Sequence, residues 1–158
     1  QRVTDGDYIR TLLRKIRKAV PGIAIRTTFI TGFPGETEED HQELMEFIEE
    51  FRFERAGIFT FSREEGTKAY KMPNQVHHRT KARRYNEATM LLARLASETG
   101  QEQIGRQIRV LVDAPGVART EWDAPDIDGT VSVPLTLPVG QFATVTVTDA
   151  VAYELTAE

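Results

Sequence analysis

The stretch TTFITGFPGETEED, residues 27–40, joins a strand-like run of β-branched and aromatic residues to the acidic start of a helix. Gly32 and Gly35 bracket Phe33 and Pro34, so the backbone can bend sharply and approach another group closely. Thr37 is suited to be the helix N-cap, with an acidic residue three positions later to complete a capping box. No Lys follows Gly32 before the helix, which excludes a Walker-type phosphate loop. Two interpretations remain: a plain turn, or a loop shaped for a ligand.

Helical and strand patterns alternate around this stretch. Apolar residues at helical spacing predict an amphipathic helix before it, and Leu44, Ile48 and Phe51 give the helix after it a buried stripe. The nearly continuous apolar character of the first strand predicts that it is covered on both faces. Helix, strand, helix and strand in short succession predict parallel strands joined by crossovers. The predicted elements are helices at 7–20, 37–51 and about 78–98, and strands at 23–31 and 56–62.

Beyond Gly100 the pattern changes to the alternation that is typical of short strands, with glycine-containing turns between them. Short strands without helices predict a small antiparallel barrel or sandwich. The predicted fold is therefore α/β followed by all-β. The predicted strands lie within 107–113, 129–135 and 142–155, and the predicted units are 1–76, a connecting helix at 77–100, and a β-domain at 101–158.

The composition excludes several classes of protein. Hydrophobic residues make up 40% of the 158, which is enough for a core. The chain has no cysteine, so it forms no disulfide and provides no thiolate for zinc or an iron–sulfur cluster. No run approaches the roughly 18 apolar residues that span a bilayer, and the N-terminal residues are too polar for a signal peptide. We therefore expect a cytoplasmic protein without a membrane partner.

The charge is divided unevenly along the chain. Residues 1–100 carry 17 Lys and Arg against 15 Asp and Glu, whereas residues 101–158 carry 3 against 9. The acidic run DAPDIDG, residues 123–129, is no EF-hand, because Ala124 and Leu135 would stand where carboxylates are required. It is either a solvated loop or an interaction surface. The two parts of the chain are expected to meet different partners.

A family resemblance becomes visible over longer segments. Residues 26–76, from RTTFITGFPGETEED to KMPNQV, resemble the second half of the radical S-adenosylmethionine (β/α) barrel in the methylthiotransferase family. IGRQIRVLVD, residues 104–113, and the strands after it resemble that family's C-terminal TRAM domain, a small OB-like β-barrel. The loop, FSREEGT and DAPDIDG occur in the family's order and spacing. The resemblance covers nearly the whole chain.

Two branches of that family are prominent. One modifies an adenosine beside the tRNA anticodon, and the other the β-carbon of an aspartate in the twelfth small-subunit ribosomal protein. RTTFITGFPGE and DAPDIDG are most similar to the ribosomal-protein branch. An RNA-binding face needs Lys and Arg, whereas residues 101–158 are acidic, so a basic ribosomal protein is the better electrostatic partner. Asp123, Asp126 and Asp128 are predicted to dock it. A tRNA substrate and a non-catalytic acidic module that binds a basic protein remain the alternatives.

The resemblance also implies a cofactor site. S-adenosylmethionine would lie across the carboxyl ends of the strands. Ile30 would pack on the adenine and Arg26 or Thr28 would bond its polar groups. The next strand end would close the pocket, and Glu36 would orient the loop through backbone bonds. The predicted contact set is Arg26, Thr28, Ile30, Gly32, Pro34, Gly35, Glu36, Phe61 and Ser62.

The absence of cysteine is a departure from the family pattern. The family's chemistry requires a Cys-x-x-x-Cys-x-x-Cys set for one 4Fe-4S cluster and three further cysteines for a second. We therefore expect this chain to be the C-terminal part of a longer enzyme, with Gln1 in mid-barrel and the cysteines upstream. Alone it would hold no catalytic or metal-ligating residue and would be inactive. Half a barrel would also expose strand edges that the other half pairs.

Overall fold

The computed structural model describes residues 5–158 and contains an α/β unit followed by a β-barrel, which confirms the predicted fold class. The barrel strands are shorter on average than the helices that precede them. The elements of the α/β unit are α1 (Gly6–Ala19), β1 (Arg26–Thr31), α2 (Glu38–Phe51), β2 (Arg55–Thr60), a 3-10 turn (Ala69–Lys71) and α3 (His78–Gln101). Those of the barrel are β3 (Gln107–Ala114), β4 (Val117–Thr120), β5 (Val131–Ser132), β6 (Phe142–Val151) and β7 (Glu154–Ala157).

The helix starts follow from side-chain capping. Asp5 accepts a hydrogen bond from the Tyr8 N–H at the start of α1. At the start of α2, Thr37 and Asp40 form a reciprocal capping box, as the sequence predicts. Such a cap satisfies N–H groups that have no partner within the helix. The capping box therefore fixes the point at which the chain leaves the loop after β1.

β1 and β2 form a parallel two-stranded sheet, in register from Arg26 opposite Arg55 to Thr31 opposite Thr60. The prediction that the first strand is covered on both faces is wrong for the described residues. Only one face is packed, and Arg26, Thr28 and Ile30 on the other face are exposed. The reason is that α2 and α3 both lie on the same side of the sheet.

The core of the α/β unit lies between this sheet and the two helices α2 and α3. Ile48 of α2, Ile58 of β2 and Leu92 of α3 are buried together there. An aromatic cluster extends the core toward the start of β2. Its members are Phe29, Phe47, Phe51 and Phe53, with ring centroids 4.8 to 6.2 Å apart.

The second unit is a closed barrel with the strand order β3-β4-β5-β7-β6, and β6 pairs back with β3. All its pairings are antiparallel except that of β5 with β7, which is parallel. A small, mostly antiparallel barrel is what the sequence pattern predicts, and the OB-like form is what the family resemblance implies. The number of strands, five, was not predicted. Small aliphatic side chains, mostly valine and alanine, fill the interior. The buried set is Val110, Val112, Ala118, Val131, Val133, Val145, Val147, Ala150, Leu155 and Ala157.

The strand prediction for the barrel needs three corrections. β4 was missed, because VART carries only two aliphatic residues in four. The predicted strand at 129–135 contributes only two residues, Val131 and Ser132. The segment 142–155 is not one strand, since Ala152 adopts a left-handed conformation (φ 52°) and turns the chain from β6 into β7.

The C-terminal end of α3 holds the barrel against the α/β unit. A Cβ on Gly100 would lie 2.7 Å from the Ala152 carbonyl oxygen, so only glycine permits this approach. One residue later, the Gln101 side-chain amide donates to the Ala150 carbonyl at 3.0 Å. The hairpin between β6 and β7 is therefore seated directly on the end of this helix.

Candidate functional site

The open face of the sheet carries two large apolar side chains near the carboxyl ends of the strands. Ile30 of β1 and Phe59 of β2 are cross-strand neighbours and are 59% and 64% exposed. Phe33 and Phe61 follow them in the chain and meet edge-to-face with centroids 5.2 Å apart. We call Ile30, Phe33, Phe59 and Phe61 the carboxyl-end patch. Exposed aliphatic and aromatic groups of this kind suit one face of a flat, partly apolar ligand.

The loop after β1 is shaped by two glycines in the left-handed region, Gly32 (φ 78°) and Gly35 (φ 90°). The Gly35 N–H donates to the Asn74 carbonyl at 2.9 Å, which ties the loop to the segment before α3. A Cβ on Gly32 would lie 2.6 Å from the Lys81 side chain. Pro34 between them is buried. The loop therefore needs glycine for its left-handed backbone at two positions, and it is packed closely against Lys81 and the segment before α3.

Glu36 holds the loop from inside. One carboxylate oxygen accepts the Gly32 N–H at 2.8 Å, and the other accepts the Thr31 hydroxyl at 3.2 Å. The guanidinium of Arg84, on α3, donates to this carboxylate at 2.7 Å and to the Glu36 carbonyl at 3.1 Å. The backbone bond that the sequence analysis expected of Glu36 is present. Arg84 was missed, because no local sequence pattern links a residue of the predicted helix at 78–98 to a glutamate 48 positions earlier.

The predicted contact residues fall into two groups along the strands. Ile30, the loop 32–36, Phe61 and Ser62 lie at the carboxyl ends of β1 and β2. Arg26 lies at the amino end of β1, about 13 Å from Ile30 at the usual rise per strand residue, with Thr28 between them. The Arg26 side chain donates to Asp128 of the barrel at 3.3 Å. The structure therefore does not bring Arg26 together with the members of the predicted set that lie at the carboxyl ends of the strands.

The acidic run of the barrel faces the α/β unit. The carboxylate of Asp123 is 1% exposed and forms an ion pair with Arg55, which is also buried. It accepts from Arg55 Nε at 2.8 Å and from the Thr120 N–H and hydroxyl at 3.0 and 2.6 Å. The Arg55 guanidinium also lies over the ring of Tyr153. Asp123 is therefore part of the contact between the two units and does not lie on a docking surface.

The other two predicted docking residues differ from each other. Asp128 is 9% exposed and accepts from Arg26 and from the Ala124 N–H. Asp126 is exposed and has a left-handed backbone (φ 62°). The three carboxylates thus do not share one surface. A groove of about 430 Å³ separates the sheet from this loop, with Thr28, Phe59, Ile127 and Tyr153 among its lining residues.

Charged pairs join the start of α2 to α3 beside the loop. Hydrogen bonds from Arg83 and Arg84 lower the pKa of the Glu38 carboxyl to about 2. The Thr37 N–H and hydroxyl lower the pKa of Asp40. Both carboxylates are therefore charged at neutral pH, where they stabilise the N-terminus of α2.

Within residues 5–158, no three His, Asp or Glu side chains are grouped so that they could hold a metal ion. None of the helices described is both long and apolar enough to cross a membrane.

Comparison with known proteins identifies relatives along the whole chain. Residues 104–158 match the TRAM domain family. The chain is 98% identical, over all of its 158 residues, to an Akkermansia muciniphila protein named ribosomal protein uS12 methylthiotransferase RimO, of which it covers 35%. It is 54% identical to the Opitutus terrae protein of that name (99% of the chain, 33% of the relative) and 46% identical to the Desulforamulus reducens protein (94% and 36%). The chain thus spans about a third of the length of the curated relatives that it matches.

Proposed function

Since the chain belongs to the RimO family of methylthiotransferases and spans about a third of its members' length, we propose that it forms the C-terminal part of an enzyme that methylthiolates ribosomal protein uS12. The observation that carries this proposal is the 98% identity to a protein of that name along the whole chain. The modified group would be the β-carbon of an aspartate. A ribosomal substrate would place the enzyme in the cytoplasm.

The carboxyl-end patch is proposed to bind the adenosine part of S-adenosylmethionine. Ile30 and Phe59 offer an exposed apolar surface that would cover one face of the adenine and exclude water from it. The Gly32–Glu36 loop would lie along the ligand, since two left-handed glycines let its backbone approach closely. When bound, S-adenosylmethionine supplies the radical chemistry that removes a hydrogen from the substrate carbon.

The two iron–sulfur clusters of the family do not fit the residues of this chain. A 4Fe-4S cluster is held by cysteine thiolates, and the chain contains no cysteine. We therefore assign cluster ligation, and every step that depends on it, to the part of the enzyme outside this chain. The proposed role of residues 5–158 is to bind, orient and shield.

The barrel is proposed to dock the substrate. Its segment, residues 101–158, carries six more acidic than basic residues, which favours a basic protein over RNA. Because Asp123 is buried, docking would fall to exposed carboxylates such as Glu121, Asp126 and Glu158. An anticodon stem-loop is the competing substrate, and it would require cations that this surface mostly lacks.

The test uses the purified full-length protein with S-adenosylmethionine, a reductant and two separate substrates, uS12 and a tRNA anticodon stem-loop. Mass spectrometry is expected to find one methylthio group on an aspartate of uS12 and none on the RNA. Ile30→Asp should abolish the reaction by weakening cofactor binding, whereas Val151→Asp, on an exposed position of β6, should not. Modification of the RNA alone would overturn the assignment of the substrate.

A further inference from the structure

We propose that Arg84 and Lys81 of α3 are positioning residues for the cofactor loop Gly32–Glu36, so that a helix outside the loop sets its affinity for S-adenosylmethionine. The inference rests on the proposed function of this loop. Neither side chain belongs to the carboxyl-end patch, and both act through the loop backbone.

Arg84 is the buried member of the arrangement, with only 4% of the residue exposed. Its Nη1 binds both the carboxylate and the carbonyl of Glu36, while its Nη2 donates to Glu38 at 3.1 Å. The same Glu36 carboxylate accepts the Gly32 N–H. A continuous chain of hydrogen bonds thus runs from the helix through Glu36 to the first glycine of the loop.

The electrostatics make this chain dependent on the arginine. The Glu36 side chain is only 11% exposed, so its charge is largely removed from water. A carboxylate in such a position is stable only when it is paired and hydrogen-bonded. Without Arg84, the Glu36 carboxylate would turn toward solvent and release the Gly32 N–H, because water would then stabilise its charge better than its remaining protein contacts. The loop would lose the bond that fixes its entry.

Lys81 acts on the same loop from one helical turn earlier. Its aliphatic stem occupies the space beside Gly32, where a Cβ would meet it at 2.6 Å. Its Nζ donates to the Phe61 carbonyl at 3.0 Å and lies 5.0 Å from the Phe61 ring centroid. Residues three apart share a helix face. Lys81 and Arg84 therefore contact the segments that follow β1 and β2 from the same side. The C-terminal end of this helix contacts the barrel, where the Gln101 side chain donates to the Ala150 carbonyl.

The experiment measures two quantities in the full-length protein: hydrogen exchange of the loop amides and the equilibrium Kd for S-adenosylmethionine. Arg84→Met should speed the exchange of the Gly32, Gly35 and Glu36 amides and raise the Kd about tenfold, the loss expected for a hydrogen bond to a charged group. Arg84→Lys keeps the charge but not the forked geometry, so it should fall between wild type and Arg84→Met. Lys81→Met keeps the stem and should show a smaller effect.

Arg94→Met is the matched control, since Arg94 lies on the same helix and binds Glu49 and Glu98 at the exposed surface. It should change neither quantity. An Arg84→Met protein that folds, with exchange or Kd unchanged, would overturn the inference. If Arg84→Met does not fold, wild-type values for both Arg84→Lys and Lys81→Met would overturn it. Ile30→Asp separates the two claims: if it too leaves the Kd unchanged, the carboxyl-end patch is not the cofactor site and the proposed site for S-adenosylmethionine fails.

Discussion

The two units of this chain differ in how completely they bury their own β-structure. In the barrel each strand has two neighbours, and Val110, Val112 and Val147 inside it are 1% exposed. In the α/β unit, β1 and β2 have only each other, and no element of the described residues covers their open face. Within the described residues, the barrel sheet is therefore closed on itself, whereas the two-stranded sheet has an open face. The open face of the two-stranded sheet is where a ligand or another protein segment can still bind.

The two units also differ in what holds their elements together. The barrel is stabilised by its apolar interior. The helices of the α/β unit are joined by arginine–carboxylate pairs in addition to their core, such as Arg10 with Glu50, Arg83 with Glu38 and Arg94 with Glu49. Exposed pairs of this kind contribute roughly 0 to 1 kcal/mol each. Each unit should therefore respond most strongly to changes in its core or its buried ion pairs, and only weakly to the loss of an exposed pair.

The largest effect is expected inside the barrel. Val147→Asp would place an unpaired carboxylate in its centre and should destabilise the protein by about 5 kcal/mol, enough to unfold the barrel. Val151→Asp on the same strand is the control, since that side chain is 70% exposed, and should change the free energy of unfolding by less than about 0.5 kcal/mol. Urea denaturation measures both. Equal effects would contradict the closed barrel core.

The contact between the units should respond next. Arg55→Met leaves Asp123 charged, buried and unpaired, which should cost about 3 to 5 kcal/mol. Arg26→Met removes a second pair across the same contact, but that arginine is 52% exposed, so a loss of about 0 to 1 kcal/mol is expected. Calorimetry would compare the two variants. A loss for Arg26→Met as large as that for Arg55→Met would show that burial does not decide the strength of this contact.

A smaller effect is expected at the start of α2. Thr37→Ala removes the capping box and should lower the free energy of unfolding by about 1 kcal/mol. Thr37→Ser keeps a hydroxyl in place and should recover most of it. Thermal unfolding monitored by circular dichroism would show whether it does. An unchanged Tm in Thr37→Ala would mean that the cap is not needed once the helix is packed.

The smallest effect concerns pH. The pKa of Glu38 in the folded state, about 2, lies below its ordinary value of 4.5. Its stabilising contribution is therefore present above pH 4.5 and is lost as the pH falls toward 2. A carboxyl titration followed by NMR should give a midpoint near 2, and Arg83→Gln should move the midpoint upward. A midpoint that does not move would remove Arg83 as the main cause.

Much of the fold was predictable from local signals. The capping box at Thr37, the helical spacing of Leu44, Ile48 and Phe51, and the change to alternation after Gly100 each reflect interactions between residues close in the sequence. β4 and β5 were harder, because a strand of two to four residues has too little pattern to be read. Their existence depends on pairing with distant strands.

The candidate site was predictable only in part. The shape of the loop could be predicted from its glycines, because backbone positions with positive φ angles favour glycine. The sequence does not reveal that Arg55 reaches Asp123, 68 positions away, or that Arg84 reaches Glu36, 48 positions away. The acidic run therefore looked like a free surface, although Asp123 is the buried partner of an arginine. Buried pairs between distant charged residues are set by tertiary structure, which leaves no local pattern.

The short strand β5 has a consequence for how the barrel would respond to force. Only two residue pairs, Val131 with Leu155 and Ser132 with Thr156, join β5 to β7 and complete the cylinder. β6 and β3 are joined by five pairs, so the number of paired residues differs between neighbouring strands of the barrel. A pull on the last residues of the chain would load the β5–β7 seam first. The hydrogen bonds between β5 and β7 would break first. The pairings of β4 with β3 and of β3 with β6 would still be intact.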